Sequence, residues 1–325
     1  MAKSKVLVTG IIPEQGIKEL QDVLEVTYSP AKPFSREYVL AHLHEYDGLL
    51  LMGLKGDQEL IAAGSNLKII ATNGVGFDHV DIEYAKQKGI VVANTPQAVR
   101  VPTAEMTLTL LLATVRHLHE YDKTIRSGNW IDVSQLQYMG MGLASKTLGI
   151  YGMGRIGKTV SKFAQDLGMQ VIYHNVHRLA PELERKLKVE YVDFDTLVKT
   201  SDVITLHAPA TPATNGKFDK AVFERMKDTA YIINVARGSL IKQTDLIEAL
   251  KEHKIAGAGL DVFETEPEVP EELRLLDNVV LSPHAGTGTL EARIAIAKEA
   301  SADIISLLRD DKAKNMVNDV TKYMN

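Results

Sequence analysis

Cysteine is absent from this sequence, which removes disulfides, thiolate metal sites and a cysteine nucleophile from consideration. Long hydrophobic runs are missing too. The most apolar stretch, Leu108 to Val115, contains Thr109 and Thr114 and falls well short of the roughly 20 residues that a spanning helix needs. Nor is there an excess of positive charge: 37 Lys and Arg stand against 42 Asp and Glu, for a formal net charge of −5. Without an overall basic field, general binding to nucleic acid or to an anionic membrane is disfavoured. The opening MAKSKVLVTG has two lysines, but the apolar run after them is too short for a signal peptide. These absences lead to the expectation of a soluble, cytoplasmic protein with no metal centre, no nucleic-acid partner and no membrane partner.

What is present supports more. A chain of 325 residues is long enough for two domains with proper cores. Around Leu148 to Gly157, LGIYGMGRIG, a short apolar run leads into Gly152, Gly154 and Gly157, and a helical pattern follows at once. That is the strand, glycine turn and helix of a dinucleotide-binding unit. Gly152 suits the positive φ of a tight turn, Gly154 lets backbone approach a pyrophosphate, and Gly157 permits close packing of helix on strand.

Upstream, strand-like runs at 5–9, 24–28, 48–52, 67–71 and 90–93 alternate with helical patterns at 13–23, 36–43, 58–63 and 82–88, which indicates a parallel sheet covered on both faces. From Thr147 the alternation resumes, with strands expected at 148–151, 170–174, 190–192, 203–207, 230–235, 256–260 and 279–282. Helices are expected near 157–167, 181–187, 195–199, 217–227 and 244–252, with Thr244 as an N-cap. A last strong helix runs from Thr289 to Leu308. Between the two regions, Pro102 suits the first turn of a helix and Gly128 its end. Leu108, Leu111, Val115, Leu118 and Ile125 would form one stripe on a single helix of roughly 40 Å, buried on more than one side by the rest of the fold or by a second subunit.

Three strand ends of the second region carry candidate chemistry. Asn234-Val235-Ala236-Arg237-Gly238 puts an arginine at the carboxyl edge of the sheet, where open α/β sheets bind ligands; its planar fork suits a carboxylate. Gly259 to Pro267, GLDVFETEP, contributes Asp261, Glu264 and Glu266. Val280-Leu281-Ser282-Pro283-His284 contributes an imidazole. A histidine general acid is aided by a paired carboxylate, and Glu266 and His284 are far enough apart in sequence to come from neighbouring strand ends.

GMGRIG, NVARG, GLDVFETEP and SPHAGTGT, in this order and spacing, resemble the D-isomer-specific 2-hydroxyacid dehydrogenase family. NGVGFDHVD (Asn73 to Asp81) is similar to its substrate loop, and HAPATPAT (His207 to Thr214) to its cofactor-contacting strand end. The resemblance runs essentially end to end. It implies two doubly wound parallel-sheet α/β domains, a Rossmann cofactor domain (101–287) inserted into a flavodoxin-like substrate domain (1–100 and 288–325), with the active site in the cleft between them. It further implies a homodimer built on a helix near 102–128.

The reaction implied is hydride transfer between NAD(P)H and a small 2-oxo acid to give the D-2-hydroxy acid. Arg237 would hold the substrate carboxylate, with Leu54, Val75 and Gly76 completing the pocket. His284 would be the general acid/base, oriented by Glu266. Cofactor contacts would come from Thr103, Gly152, Gly154, Arg155, Ile156, Gly157, Asn175, His177, Arg178, His207, Pro209, Val235, Ala236 and Asp261. Many NAD-preferring relatives have an aspartate where this chain has Asn175; its loss, with His177 and Arg178 nearby, favours NADP over NAD, although Val176 tempers that reading. The pattern around Leu54, Asn73 to Gly76 and His284 resembles glyoxylate and hydroxypyruvate reductases. Dehydrogenases for larger 2-keto acids, and a non-catalytic NAD(P)-sensing protein of the same fold, are the alternatives.

Overall fold

The structure is a computed structural model that describes residues 3–320. The chain divides into two compact units. One comprises the described residues up to Val99 together with those from Gly288; the other is Arg100–Thr287.

In the first unit five strands form one parallel sheet: β1 (Lys5–Val8), β2 (Glu25–Thr27), β3 (Gly48–Leu51), β4 (Ile69–Thr72) and β5 (Val91–Ala93), in the order β2-β1-β3-β4-β5. The central strands GLLL and IIAT are buried at every position, as a sheet covered on both faces requires. One cover includes the helices Glu14–Val23 and Leu290–Asp310, whose Ile17, Leu20, Ala297, Ala300 and Ile304 share a core with Val6, Leu50 and Ile69. The long return helix starts where Thr289 caps it, its side chain accepting from the Ala292 N–H.

In the second unit seven strands follow: β6 (Thr147–Tyr151), β7 (Gln170–His174), β8 (Glu190–Tyr191), β9 (Val203–Leu206), β10 (Tyr231–Asn234), β11 (Gly257–Leu260) and β12 (Val279–Leu281). Their order is β12-β11-β10-β9-β6-β7-β8 and every pairing is parallel. The order reverses between β6 and β9, so the connections leaving their carboxyl ends diverge and open a crevice of the kind that binds ligands in doubly wound sheets. The fold class expected from the sequence is the one that forms.

Three local expectations are corrected. The segment from Pro102 to Gly128 is not one helix but two, Arg100–Val115 and Leu118–Arg126, broken at His117, which has a left-handed φ of 54°. At the break the Val115 carbonyl accepts from the Met141 N–H at 2.7 Å, so a donor from outside the helix satisfies it. The stripe shifts accordingly. Thr103, Ala104, Thr107, Leu110, Leu111, Thr114 and Val115 are buried, whereas Leu118 and Ile125 are 57% and 52% exposed. Thr244 is not an N-cap, because its helix starts at Gln243 with Lys242 in the cap position. The helix expected over 217–227 shrinks to Lys220–Phe223, since Phe218 instead bridges to Ile241 as an isolated β-link.

Candidate active site

Except for Thr103, on the helix Arg100–Val115, every candidate group of the second unit follows the carboxyl end of a strand. After β6, Gly152 has φ +103°, and a Cβ there would lie 2.5 Å from the Ala208 backbone nitrogen; only glycine fits. Gly157 is held as tightly, since a Cβ would sit 2.4 Å from the Gly152 carbonyl oxygen. Gly154 is the opposite case: nothing lies within 4 Å of where its Cβ would be. It caps the helix Arg155–Asp166, whose N-terminus has no side-chain cap. Arg155, Ile156 and Gly157 form the first turn of this helix, and its N-terminal N–H donors, without a side-chain cap, are the kind of group that holds a pyrophosphate.

After β7, the structure changes the standing of Arg178. It is not an uncommitted cation: its Nε and Nη2 donate to the two carboxylate oxygens of Glu184 at 2.9 and 2.8 Å, and its guanidinium lies 5.4 Å from the Tyr191 ring centre. Asn175 donates to the His177 carbonyl oxygen at 3.0 Å, and His177 is exposed.

After β9, the ring nitrogens of His207 are both shielded and lack a hydrogen-bond partner among the described residues. Part of the residue still reaches the surface, but desolvation of the ring pushes its pKa down to about 3, so the ring is neutral near neutral pH. Pro209 is exposed, and its carbonyl oxygen accepts from the Thr214 hydroxyl at 2.7 Å.

The turn after β10 is braced by Asn234, a role its place in the NVARG motif did not disclose. Its amide oxygen accepts from the Ala236 N–H at 3.0 Å, and its amide nitrogen donates to the Arg237 carbonyl oxygen at 2.9 Å. Val235 is buried, and Nη1 of Arg237 donates to the Ala236 carbonyl oxygen at 2.8 Å. Gly238, not singled out from the sequence, is the tightest point of the site: a Cβ there would lie 1.9 Å from the Phe263 carbonyl carbon and oxygen.

The loops after β11 and β12 are tied together by Asp261. This side chain is 1% exposed; Oδ1 accepts from the Ser282 hydroxyl at 2.5 Å and the Ala285 N–H at 2.7 Å, and Oδ2 from the Gly286 N–H at 2.8 Å. Thr103 packs beside Gly286. Within that loop His284 has a left-handed φ of 53°, a conformation that a non-glycine residue holds only where the surroundings fix it; its N–H donates to the Asp261 carbonyl oxygen at 2.8 Å. Nδ1 of His284 lies 2.7 Å from Oε2 of Glu266, whose other oxygen accepts from the Phe263 N–H at 3.1 Å. With Nδ1 engaged by the carboxylate, Nε2 is the nitrogen left to meet a ligand. A cavity of about 350 Å³ opens beside the pair, lined among others by Phe263, Val269, Leu281 and Pro283.

In the first unit, Leu54 is half-buried in the loop after β3 and packs against that unit's core. Val75 and Gly76 follow β4 in a loop pinned from behind: Thr72 and the Thr95 N–H both donate to the Gly74 carbonyl oxygen, and the Asn94 amide donates to that of Val75. Among the described residues no group of three or more His, Asp or Glu could hold a metal ion, and no helix is long and apolar enough to cross a membrane.

The chain is similar to known proteins in sequence and fold. Residues 108–286 match the family model described as the NAD-binding domain of D-isomer-specific 2-hydroxyacid dehydrogenases. A glyoxylate reductase of Thermococcus litoralis is 43% identical over 322 residues, covering 97% of each chain. The NADPH-dependent glyoxylate/hydroxypyruvate reductase of Sinorhizobium meliloti, solved with NADP and malonate, superposes with a TM-score of 0.87 at 28% identity, covering 98% of both chains. D-lactate dehydrogenase of Lactobacillus jensenii, solved with NAD+, gives 0.79 at 27% identity over 97% of this chain and all of its own. The chain belongs to the D-isomer-specific 2-hydroxyacid dehydrogenase family and is an NAD(P)-dependent oxidoreductase.

Proposed function

We propose that this enzyme reduces small 2-oxo acids of the glyoxylate and hydroxypyruvate type to D-2-hydroxy acids. The observation that carries the reading is the His284–Glu266 pair at 2.7 Å, in the loops that follow two of three adjacent strands, with Arg237 after the third. The nicotinamide cofactor supplies the hydride when bound. Arg237 binds the substrate carboxylate with its two-pronged fork and polarises the keto oxygen. Protonated His284 delivers its proton from Nε2 to that oxygen as charge develops on it. Glu266 keeps the ring turned so that Nε2 faces the substrate, and Asp261 holds the loop that carries it. Leu54, Val75 and Gly76 contribute the remaining substrate contacts, the last two through backbone N–H groups. The open, donor-rich turn at Gly154 suits the cofactor pyrophosphate, and Val235, Ala236, His207 and Pro209 stand at neighbouring strand ends. Asn175 removes a carboxylate that would repel a 2′-phosphate, which favours NADP over NAD by a modest margin.

The test is oxidation of NADPH and NADH against a panel of glyoxylate, hydroxypyruvate, pyruvate and bulkier 2-oxo acids. Glyoxylate and hydroxypyruvate should give the highest kcat/KM. A preference for the bulky acids would reassign the substrate, and silence across the panel with tight nucleotide binding would favour a sensing role.

The enzyme acts as a homodimer in this reading. One stretch of chain exposes Leu118, Ile125, Trp130, Val133, Leu136 and Met139, with Trp130 and Leu136 at 84% and 85%. An apolar concentration of this kind marks a contact surface. Light scattering should give twice the chain mass for the native protein and a monomer for the Trp130→Ser, Leu136→Ser double variant; a native monomer would refute the dimer.

A further inference from the structure

The segment after β7 contains a closed cluster that the proposed chemistry leaves unused. Tyr173, fully buried at the end of β7, donates from its hydroxyl to Oε1 of Glu184 at 2.6 Å and accepts from the Leu179 N–H at 2.9 Å. Glu184, on the helix Pro181–Leu187, is 8% exposed. Its second partner is the bidentate guanidinium of Arg178, which rests against Tyr191. Arg178 and Tyr173 hold the Glu184 carboxyl down to about 2, so the carboxylate stays ionised across the working range. A carboxylate and a guanidinium in contact cancel each other's field at a distance, and the pairing fixes the direction of the fork, although three of its five N–H donors remain outside the Glu184 contact. Yet Arg178 is the cation that stands nearest in sequence to Asn175, where an adenosine ribose would be read, and its side chain is 59% exposed.

We propose that Glu184 withholds Arg178 from the 2′-phosphate of NADP, so that Glu184, a residue that need not touch the cofactor, sets how weakly the enzyme prefers NADP to NAD. The proposal rests on the reading that this segment faces the adenosine ribose. Asn175 admits the phosphate; Glu184 limits the reward for it. The substitution Glu184→Gln keeps the volume and an oxygen acceptor for Tyr173 but removes the charge, leaving Arg178 with an uncancelled positive field beside Asn175.

The experiment is isothermal titration of adenosine 2′,5′-bisphosphate and of 5′-AMP into the native enzyme, Glu184→Gln, Arg178→Gln and the double variant. The readout is the ratio of the two affinities, which isolates the 2′-phosphate; damage to the fold moves both affinities together. In Glu184→Gln the ratio should rise by about five- to twentyfold, the scale of one new charge-assisted hydrogen bond. In Arg178→Gln alone it should fall, because the Glu184 carboxylate is uncovered, and in the double variant it should return to within about threefold of native, which is the coupling expected of two residues acting through one contact. A tenfold or larger loss in Arg178→Gln that persists in the double variant, where no Glu184 charge is left to repel the phosphate, would mean that Arg178 already reads the phosphate and would overturn the proposal. So would an unchanged or lower ratio in Glu184→Gln, or a gain that survives loss of Arg178. If the native enzyme binds neither nucleotide, the reading that this segment faces the adenosine ribose fails and takes the proposal with it.

Discussion

Substituting His284 by alanine should lower kcat for 2-oxo acid reduction by about 10²–10⁴-fold, the usual contribution of a positioned general acid. Nucleotide affinity should stay within about threefold of native, because a general acid acts in the chemical step rather than in cofactor binding. Thermal stability should hardly move. The side chain is 51% exposed, and alanine inherits the same left-handed backbone without adding strain. The partner substitution separates orientation from proton delivery. Glu266→Gln keeps the shape and one oxygen near Nδ1 but no longer demands a donor there, so both ring tautomers become populated and only one can serve. Its kcat should fall between those of the native enzyme and His284→Ala. Arg237→Ala should instead raise KM for the 2-oxo acid more than it lowers kcat, since a carboxylate clamp acts on bound substrate and transition state alike. Steady-state rates with NADPH at saturating and limiting glyoxylate distinguish these patterns. Native-like turnover in His284→Ala would remove the histidine from the chemistry.

The sequence made the parallel sheets legible because fully buried strands are written as unbroken apolar runs: IIAT, VITL and YIIN are buried at every position. The glycine turn was legible for a similar reason, as Gly152 and Gly157 answer local sterics that no other residue meets. The candidate groups were legible as a set of strand ends, which is where the structure places Arg237, Glu266 and His284. Helix limits were less so where a distant segment meets them. At the break near His117 the Val115 carbonyl accepts the N–H of Met141 from more than twenty residues away, and nothing in LATVRHLHE announces it. Charge partners were the other blind spot. Arg178 read as a cation beside the ribose site, and nothing in its spacing announced that Glu184, six residues on, is its partner. Asp261 read as a cofactor contact, and its spacing did not announce the three donors from the loop that carries His284 that its oxygens also accept. Buried polar groups seek partners wherever the fold brings them, and one-dimensional spacing does not record those meetings.

Gly238 illustrates the same point with the largest expected structural effect. It follows Arg237 directly, and the space its side chain would need is taken by backbone: the Phe263 carbonyl at 1.9 Å and the Glu264 nitrogen at 2.5 Å. A flexible side chain could swing aside from such a clash, but a peptide group fixed after a buried strand cannot. Gly238→Ala must therefore separate the turn that carries Arg237 from the loop that runs on to Glu266. Overpacking of this kind costs about 1–3 kcal/mol, and more where the neighbour is rigid. For a unit of this size each kcal/mol corresponds to roughly 2–4 °C in Tm, so a fall of about 5 °C or more is expected. Activity should fall further than stability. Displacing Glu266 turns the His284 ring away from the substrate, and Arg237 moves with its own turn; a misplacement of about 1 Å at reacting groups is enough to cost 10²-fold. Scanning calorimetry and kcat/KM for glyoxylate measure both effects on one preparation. The paired variant Gly154→Ala, at a position with open space on the protein side, should leave Tm within about 2 °C of native while weakening nucleotide binding, because its methyl group would project into the region reserved for the pyrophosphate. A Gly238→Ala enzyme with native Tm and more than half of native activity would show that the two loops are not in contact as described, and the coupling of Arg237 to the His284–Glu266 pair would lose its physical basis.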